Sequence, residues 1–210
     1  MRGIASLGIA ALLSACAAAP SAYYSLSAPT PTLAPSAVPA ASGRAAADFG
    51  LRVEAVGIPA EVDRPQLVVR REAADAGVAL LNGSLWAAPL SDQLRAVLAA
   101  RISRALGVPD VSVMAAPQGL QLREVAVQVT RFDLVYGQYA GLEANWTESR
   151  PRQAMRLCHA ALRVPVAAGV PALVEGQREA VGLLAQMIAA HMDSSVAVPH
   201  DPAILSNRCT

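Results

Sequence analysis

The apolar positions along this chain change period several times, and each change marks an element. Leu51, Val53 and Ala55 alternate with Arg52 and Glu54, the period-2 pattern of a half-buried strand, which Pro59 ends. Pro65 restarts the chain, and Gln66 to Val69 reads as a second strand. Glu72 to Gly77 is a polar turn, and Val78 to Trp86 is apolar and extended. Asn82-Gly83 within it is a hairpin-turn dipeptide, so one strand and a small hairpin both stay open. The pattern then becomes helical. Leu90, Leu94, Val97, Leu98, Ile102 and Ala105 share one face of a helix beginning at Ser91, with Asp92, Arg95, Arg101 and Arg104 outside. Gly107 and Pro109 stop it. Leu122 to Tyr136 is the longest strand candidate, with Val125, Val127 and Val129 facing one way and Glu124, Gln128 and Thr130 the other. Tyr139 to Thr147 and Gln153 to Val166 read as further strands. A last helix runs from about Pro171 to Met192, its stripe made of Leu173, Val174, Val181, Leu184, Met187, Ile188 and His191. Two helices interrupting runs of strands predict an α/β domain: a single mixed sheet with two main helices packed on it. No internal repeat is present.

The first 47 residues follow none of these periods. Arg2 precedes a short apolar run from Ile4 to Leu13, and Leu13-Ser14-Ala15 leads into Cys16. A charged start, an apolar middle and small residues before a cut are the marks of a secretory signal peptide. The run is too short for a bilayer-spanning helix, which needs ~20 apolar residues. Leu-Ser-Ala-Cys is similar to a bacterial lipobox, which implies cleavage after residue 15 and acylation of Cys16. Lipoproteins of that type carry three acyl chains. A single chain binds a membrane only marginally, at ~0.8 kcal/mol per buried methylene, so three make a firm anchor. Residue 17 is Ala, not the Asp that retains such lipoproteins at the inner membrane, so the outer membrane, periplasmic face, is expected. Residues 16–47 are then a lipidated Ala/Pro/Ser-rich tether, with Pro29, Pro31, Pro35 and Pro39 in an uncharged stretch that cannot build a core. Tyr23 to Leu26 is a short strand-like exception, a candidate edge strand. The folded domain is expected over residues 48–210.

Composition narrows the function. Without residues 1–15, roughly 195 residues remain, enough for one domain with its own core. Net charge is +1, which excludes the basic footprint of a nucleic-acid binder. All 17 basic residues are arginine, a usage that a GC-rich genome explains. Three cysteines divide into Cys16 for lipid and a remaining pair, Cys158 and Cys209. In an oxidising compartment these can join, closing a loop of about 50 residues and stabilising by ~4 kcal/mol in the chain-entropy picture. Two unpaired thiols, or one joined to another chain, are the alternatives.

Catalytic chemistry has no foothold. His159, His191 and His200 show no metal-ligand spacing, and no CxxC, GxSxG or phosphate-binding glycine loop occurs. Glu61 and Asp63 are carboxylates on a presumed loop, better explained by solvation than by acid–base work. No enzyme activity, metal or cofactor is expected. For a lipid-handling surface, the aromatic residues Tyr136, Tyr139 and Trp146, together with the Gly83 to Leu90 loop, are the candidates.

Three motifs carry a family resemblance. Tyr23-Tyr24-x-Leu26 follows the lipobox. Val56-Gly57-Ile58-Pro59 precedes Val62-Asp63-Arg64-Pro65-Gln66-Leu67-Val68. Trp86-Ala87-x-Pro89-Leu90 leads into the first helix. In this order they resemble the ABC-type transport auxiliary lipoproteins, the paraquat-inducible C-like group, over essentially the whole mature chain. The resemblance implies a non-catalytic component of a lipid transport system. Its partners would be an MCE-domain protein with permease and ATPase subunits, the membrane itself through the N-terminal acyl chains, and further copies of the chain in a homo-oligomeric ring. It also implies that Tyr24, Pro59, Asp63, Arg64, Pro65, Gln66, Trp86, Pro89 and Leu90 are family-motif positions. The residues themselves admit plainer roles: Asp63-Arg64-Pro65 makes a turn, Trp86 a core anchor, and Asp92 suits the helix N-terminus. A structural envelope lipoprotein without a transport role is the alternative function.

Overall fold

The computed structural model describes residues 20–27, 49–74, 77–150 and 155–210. Cys16, the expected signal peptide and most of the expected tether lie outside them. Ten elements follow in order: β1 (Ala22–Tyr24), β2 (Phe49–Val53), β3 (Gln66–Val69), β4 (Ala79–Trp86), α1 (Leu90–Leu106), β5 (Gln121–Val135), β6 (Tyr139–Ser149), β7 (Arg156–Pro165), α2 (Val170–Met192) and β8 (Ile204–Cys209). Asn82-Gly83 sits inside β4, which is one strand and not a hairpin.

The class is α/β with two helices, but the strands form two sheets where a single one was expected. A five-stranded sheet has the order β2-β5-β6-β7-β8 and a three-stranded sheet the order β1-β4-β3. The division comes from how the edge of β5 is shared. β2 pairs in parallel with its first third, Phe49 opposite Gln121 through Val53 opposite Val125. Gly57 then makes a single bridge opposite Gln128, and Arg70 another opposite Val135. Between these contacts the chain leaves β5, because Pro59 and Pro65 have no N–H to give a ladder. Arg70, just past β3, is thus a seam between the sheets: its N–H donates to the Leu134 carbonyl at 2.9 Å and its carbonyl accepts from Tyr136 N–H at 3.0 Å.

Alternation along β5 to β7 sends Val125, Val127, Val129, Phe132, Leu134, Leu142, Ala144, Trp146, Cys158, Ala160, Leu162 and Val164 into the core. A bulge between Val129 and Arg131 resets the alternation, so Thr130 is exposed while Phe132 and Leu134 stay inside. Both helices cover this face. α1 buries Leu90, Leu94, Val97, Leu98 and Ile102, and Gly107 ends it in the left-handed conformation at φ 69°. α2 presses closely on the sheet at Gly176, where a Cβ would stand 2.4 Å from Val166 Cγ1 and 2.9 Å from Ala140 Cβ. Below Gly176, Gln177 is fully buried and its amide donates to the carbonyls of Asp133 and Gly141, both at 2.9 Å.

Two buried carboxylates hold the sheet at opposite ends. Glu148 accepts from Arg123 Nε at 2.7 Å and Arg150 Nε at 2.6 Å, and both arginines also donate to the Met192 carbonyl at the end of α2. Cations there complement the negative end of the helix dipole. Asp133 accepts from Arg131 Nε at 2.5 Å and Arg70 Nε at 3.4 Å. That hydrogen bond to Asp133 is the largest reason the Arg131 guanidinium is held above its ordinary pKa. β8, for which the periodicity gave no signal, closes the sheet against β7. Cys158 and Cys209 stand opposite one another, Cα atoms 4.0 Å apart, and their sulfurs are bonded.

Candidate functional site

Parts of all three motif segments, dispersed over almost seventy residues of sequence, meet at one corner where the chain enters the domain, while Val56 to Pro59 runs along β5 with Gly57 bonded to Val127 and Val129. β1 lies parallel to β4, with Tyr23 opposite Leu85 and Tyr24 opposite Trp86. The Tyr24 carbonyl accepts from Ala87 N–H at 2.8 Å, and the Pro65 carbonyl accepts from Trp86 N–H at 2.7 Å. Leu26, fully buried, donates its N–H to Gln93 Oε1 at 2.8 Å. The Gln93 amide in turn donates to the Ala88 carbonyl at 2.7 Å. Arg178 reaches across from α2 and donates through Nε and Nη2 to the Ser25 carbonyl at 2.9 and 2.6 Å. Residues 22–26 are therefore stitched to β4, α1 and α2 together.

Individual motif residues separate into buried and exposed. Trp86 and Leu90 are core, Trp86 meeting the Phe132 ring edge-on at 6.1 Å. Tyr24, Pro59 and Gln66 are half-buried. Asp63, Arg64, Pro65 and Pro89 are exposed; a tight turn from Arg64 N–H to the Val62 carbonyl (2.9 Å) presents the first three, with Val62 buried as their pin. Gln93 and Arg178 were not singled out from sequence. Gln93 had a signal, a polar residue one position before Leu94 in an apolar stripe; Arg178 had none.

The aromatic candidates for a lipid-facing surface do not form one. Tyr139 and Trp146 are seven positions apart on the unbroken β6 ladder, which puts them on opposite faces. Trp146, only 2% exposed, packs on His191 with ring centroids 5.9 Å apart, so it belongs to the core under α2. Tyr139 is half-buried beneath the Arg163 guanidinium, 4.5 Å from its ring centroid, while Tyr136 is exposed at the β5–β6 turn. Gly83 to Trp86, expected in a loop, is the end of β4, and Trp86 is likewise core. The open sheet face carries instead a shallow groove of about 340 Å³ between Gly57, Ala126, Gln128, Asn145, Thr147 and Leu157. A second groove of about 550 Å³ runs between the helices past Arg101, Arg104 and Gln186. Two histidines meet asparagines, His159 Nδ1 with Asn145 Oδ1 and His191 Nε2 with Asn207 Oδ1, both at 3.0 Å. Of the metal-binding side chains among the described residues, Cys158, His191 and Cys209 come within 4.8 Å of one another, a group that linear spacing did not reveal. No helix among the described residues is long and apolar enough to cross a membrane.

The fold and this corner define a class: an α/β domain whose N-terminal segment is built into its core. The family model of the ABC-type transport auxiliary lipoprotein component matches residues 24–189, and the chain belongs to that family. The match begins at Tyr24, within the stitched segment, and ends before β8. Among solved structures, an uncharacterised protein superposes with a TM-score of 0.62 at 23% identity, covering 83% of this chain and all of its own. Protein XCC0632 from Xanthomonas campestris, of the family DUF330, superposes with a TM-score of 0.52 at 19% identity over 69% of this chain and 83% of its own. These likenesses are of fold. No curated protein matches the chain.

Proposed function

We propose that this chain is a non-catalytic outer-membrane lipoprotein, anchored through acylated Cys16, that docks a periplasmic MCE assembly with its permease and ATPase to the outer membrane for lipid traffic and membrane integrity. The family match over residues 24–189 carries the proposal, since auxiliary components of ABC-type transporters work through partners. The corner supports it mechanically. A domain that links a membrane anchor to a partner must transmit load from its leader to its core, and residues 22–26 are hydrogen-bonded to two helices and a strand. The exposed Asp63-Arg64-Pro65 turn beside them is the first surface to examine for partner contact, and a homo-oligomeric ring is the arrangement that suits docking on a hollow partner.

Affinity capture of the full chain from its own envelope in gentle detergent tests this. Recovery of an MCE-domain protein with a permease and an ATPase supports it, and recovery of none from a folded, acylated sample refutes it in favour of an envelope-bracing lipoprotein. Radiolabelled palmitate entering the wild type but not Cys16→Ser checks the anchor separately.

A further inference from the structure

We propose that Cys158, Cys209 and His191 form a zinc site in the reduced protein, so that the C-terminal clasp has two alternative locks, a disulfide and a bound thiophilic cation. The donor atoms of the three residues all lie within 4.8 Å of one another. In a tetrahedral zinc site with bonds of 2.0–2.3 Å the donors stand roughly 3.5 Å apart. The two sulfurs, bonded in the disulfide, part to about that distance once reduced, and side-chain rotation brings the imidazole nitrogen in. Three separate elements supply them: β7 carries Cys158, β8 carries Cys209 directly opposite, and the last turn of α2 carries His191. The ring is already oriented. Its Nε2 meets Asn207 Oδ1 at 3.0 Å, and in the proposed site Nε2–H donates to that oxygen while Nδ1 ligates, the outer-shell arrangement typical of ligating histidines. Asn207 lies two residues before Cys209 and so shares its face of β8. Trp146, paired with Cys158 across β6 and packed on His191, shields the far side.

Charge and access also agree. Two thiolates, a neutral imidazole and Zn²⁺ sum to zero, which suits a site whose first ligand is 3% exposed. Cys209 and His191 are half-buried, leaving a way in from the β8 edge and an open fourth position for water. The chemistry balances as two steps. A dithiol reductant transfers two electrons and two protons to the Cys158–Cys209 disulfide and is itself oxidised to a disulfide. Zinc then displaces both thiol protons to solvent as it binds. Cys209 and His191 lie beyond the matched residues 24–189, and the proposal stands on their geometry, independent of the transport proposal.

The test uses the purified full chain, reduced with a phosphine and kept anaerobic, titrated with zinc alone against a chromophoric chelator while tryptophan fluorescence is followed. The reduced protein is expected to take up one zinc per chain with a change in Trp146 emission, and the oxidised protein none. His191→Ala should weaken binding at least about tenfold and Asn207→Ala about tenfold, as loss of ligands and their outer-shell partners does. Cys209→Ser should abolish it. Should reduction melt the domain, recovery of its circular dichroism on zinc addition supports the site. The proposal is overturned by absence of zinc uptake in the reduced chain, by failure of zinc to restore a melted one, by equal uptake in the oxidised chain, or by unaltered affinity in His191→Ala.

Discussion

Removing the disulfide by Cys209→Ala perturbs the unfolded chain far more than the folded one. Cys158 and Cys209 are separated by 51 residues, so the bond denies the unfolded chain a large loop, worth about 4 kcal/mol in the chain-entropy picture. The folded side of the balance changes little. β8 keeps its ladder to β7 from His159–Arg208 to Leu162–Ile204, its Thr210 N–H bond to the Leu157 carbonyl at 2.9 Å, and the Arg163 N–H bond to the Ala203 carbonyl at 2.8 Å. At 2–4 °C per kcal/mol for a domain of this size, the midpoint of thermal unfolding should fall by about 8–16 °C. Calorimetry without reductant or added metal reads this directly, and wild type treated with reductant should approach the variant. Amide exchange along β8 gives the second readout, since the strand should open locally before the domain does. A midpoint lowered by less than about 3 °C would refute the loop-entropy reasoning. Selective loss of β8 protection at an unaltered midpoint would show that the bond only pins the chain end.

Three other perturbations probe the features that organise the domain. Leu26→Ala empties a fully buried position at a cost of about 2–5 kcal/mol, and because the stitched segment lies near a chain end the effect should be local. Limited proteolysis within residues 20–27 and exchange of the Leu26 amide should accelerate at least about tenfold, while the thermal midpoint moves little. Gly176→Ala sets about 1 kcal/mol of helix propensity against overpacking of about 1–3 kcal/mol, and with a Cβ 2.4 Å from Val166 Cγ1 the overpacking should prevail, lowering the urea midpoint without altering the m-value. Glu148→Ala deprives the largely buried Arg123 of its carboxylate partner, leaving the Met192 carbonyl bond, and should cost about 3–5 kcal/mol by chemical denaturation, with Glu148→Gln retaining part of the lost stability.

Much of the architecture is legible in local pattern. Both helices, and the strands from β2 to β7, follow from apolar periodicity and from proline and glycine at their ends, because side-chain period and backbone stops are properties of neighbouring residues. The corner around Leu26 was legible only as three motifs. Their meeting depends on Gln93 and Arg178, which reach residues more than sixty positions away, and one of these gave no sign in the sequence. The aromatic surface failed for a related reason: counting aromatics ignored the odd spacing of Tyr139 and Trp146, which sends them to opposite sides of one strand.

The chain by itself determined its α/β class, its two helices and the faces they bury, since each is written in steps of two to four residues. Tertiary structure decided how the edge of β5 is divided between β2, Gly57 and Arg70, and hence that there are two sheets and not one. It also brought the donor atoms of Cys158, His191 and Cys209 within 4.8 Å of one another. Such outcomes rest on pairings between residues tens of positions apart, whose partners are selected by register, bulges and the packing of whole elements, and no local pattern encodes that selection.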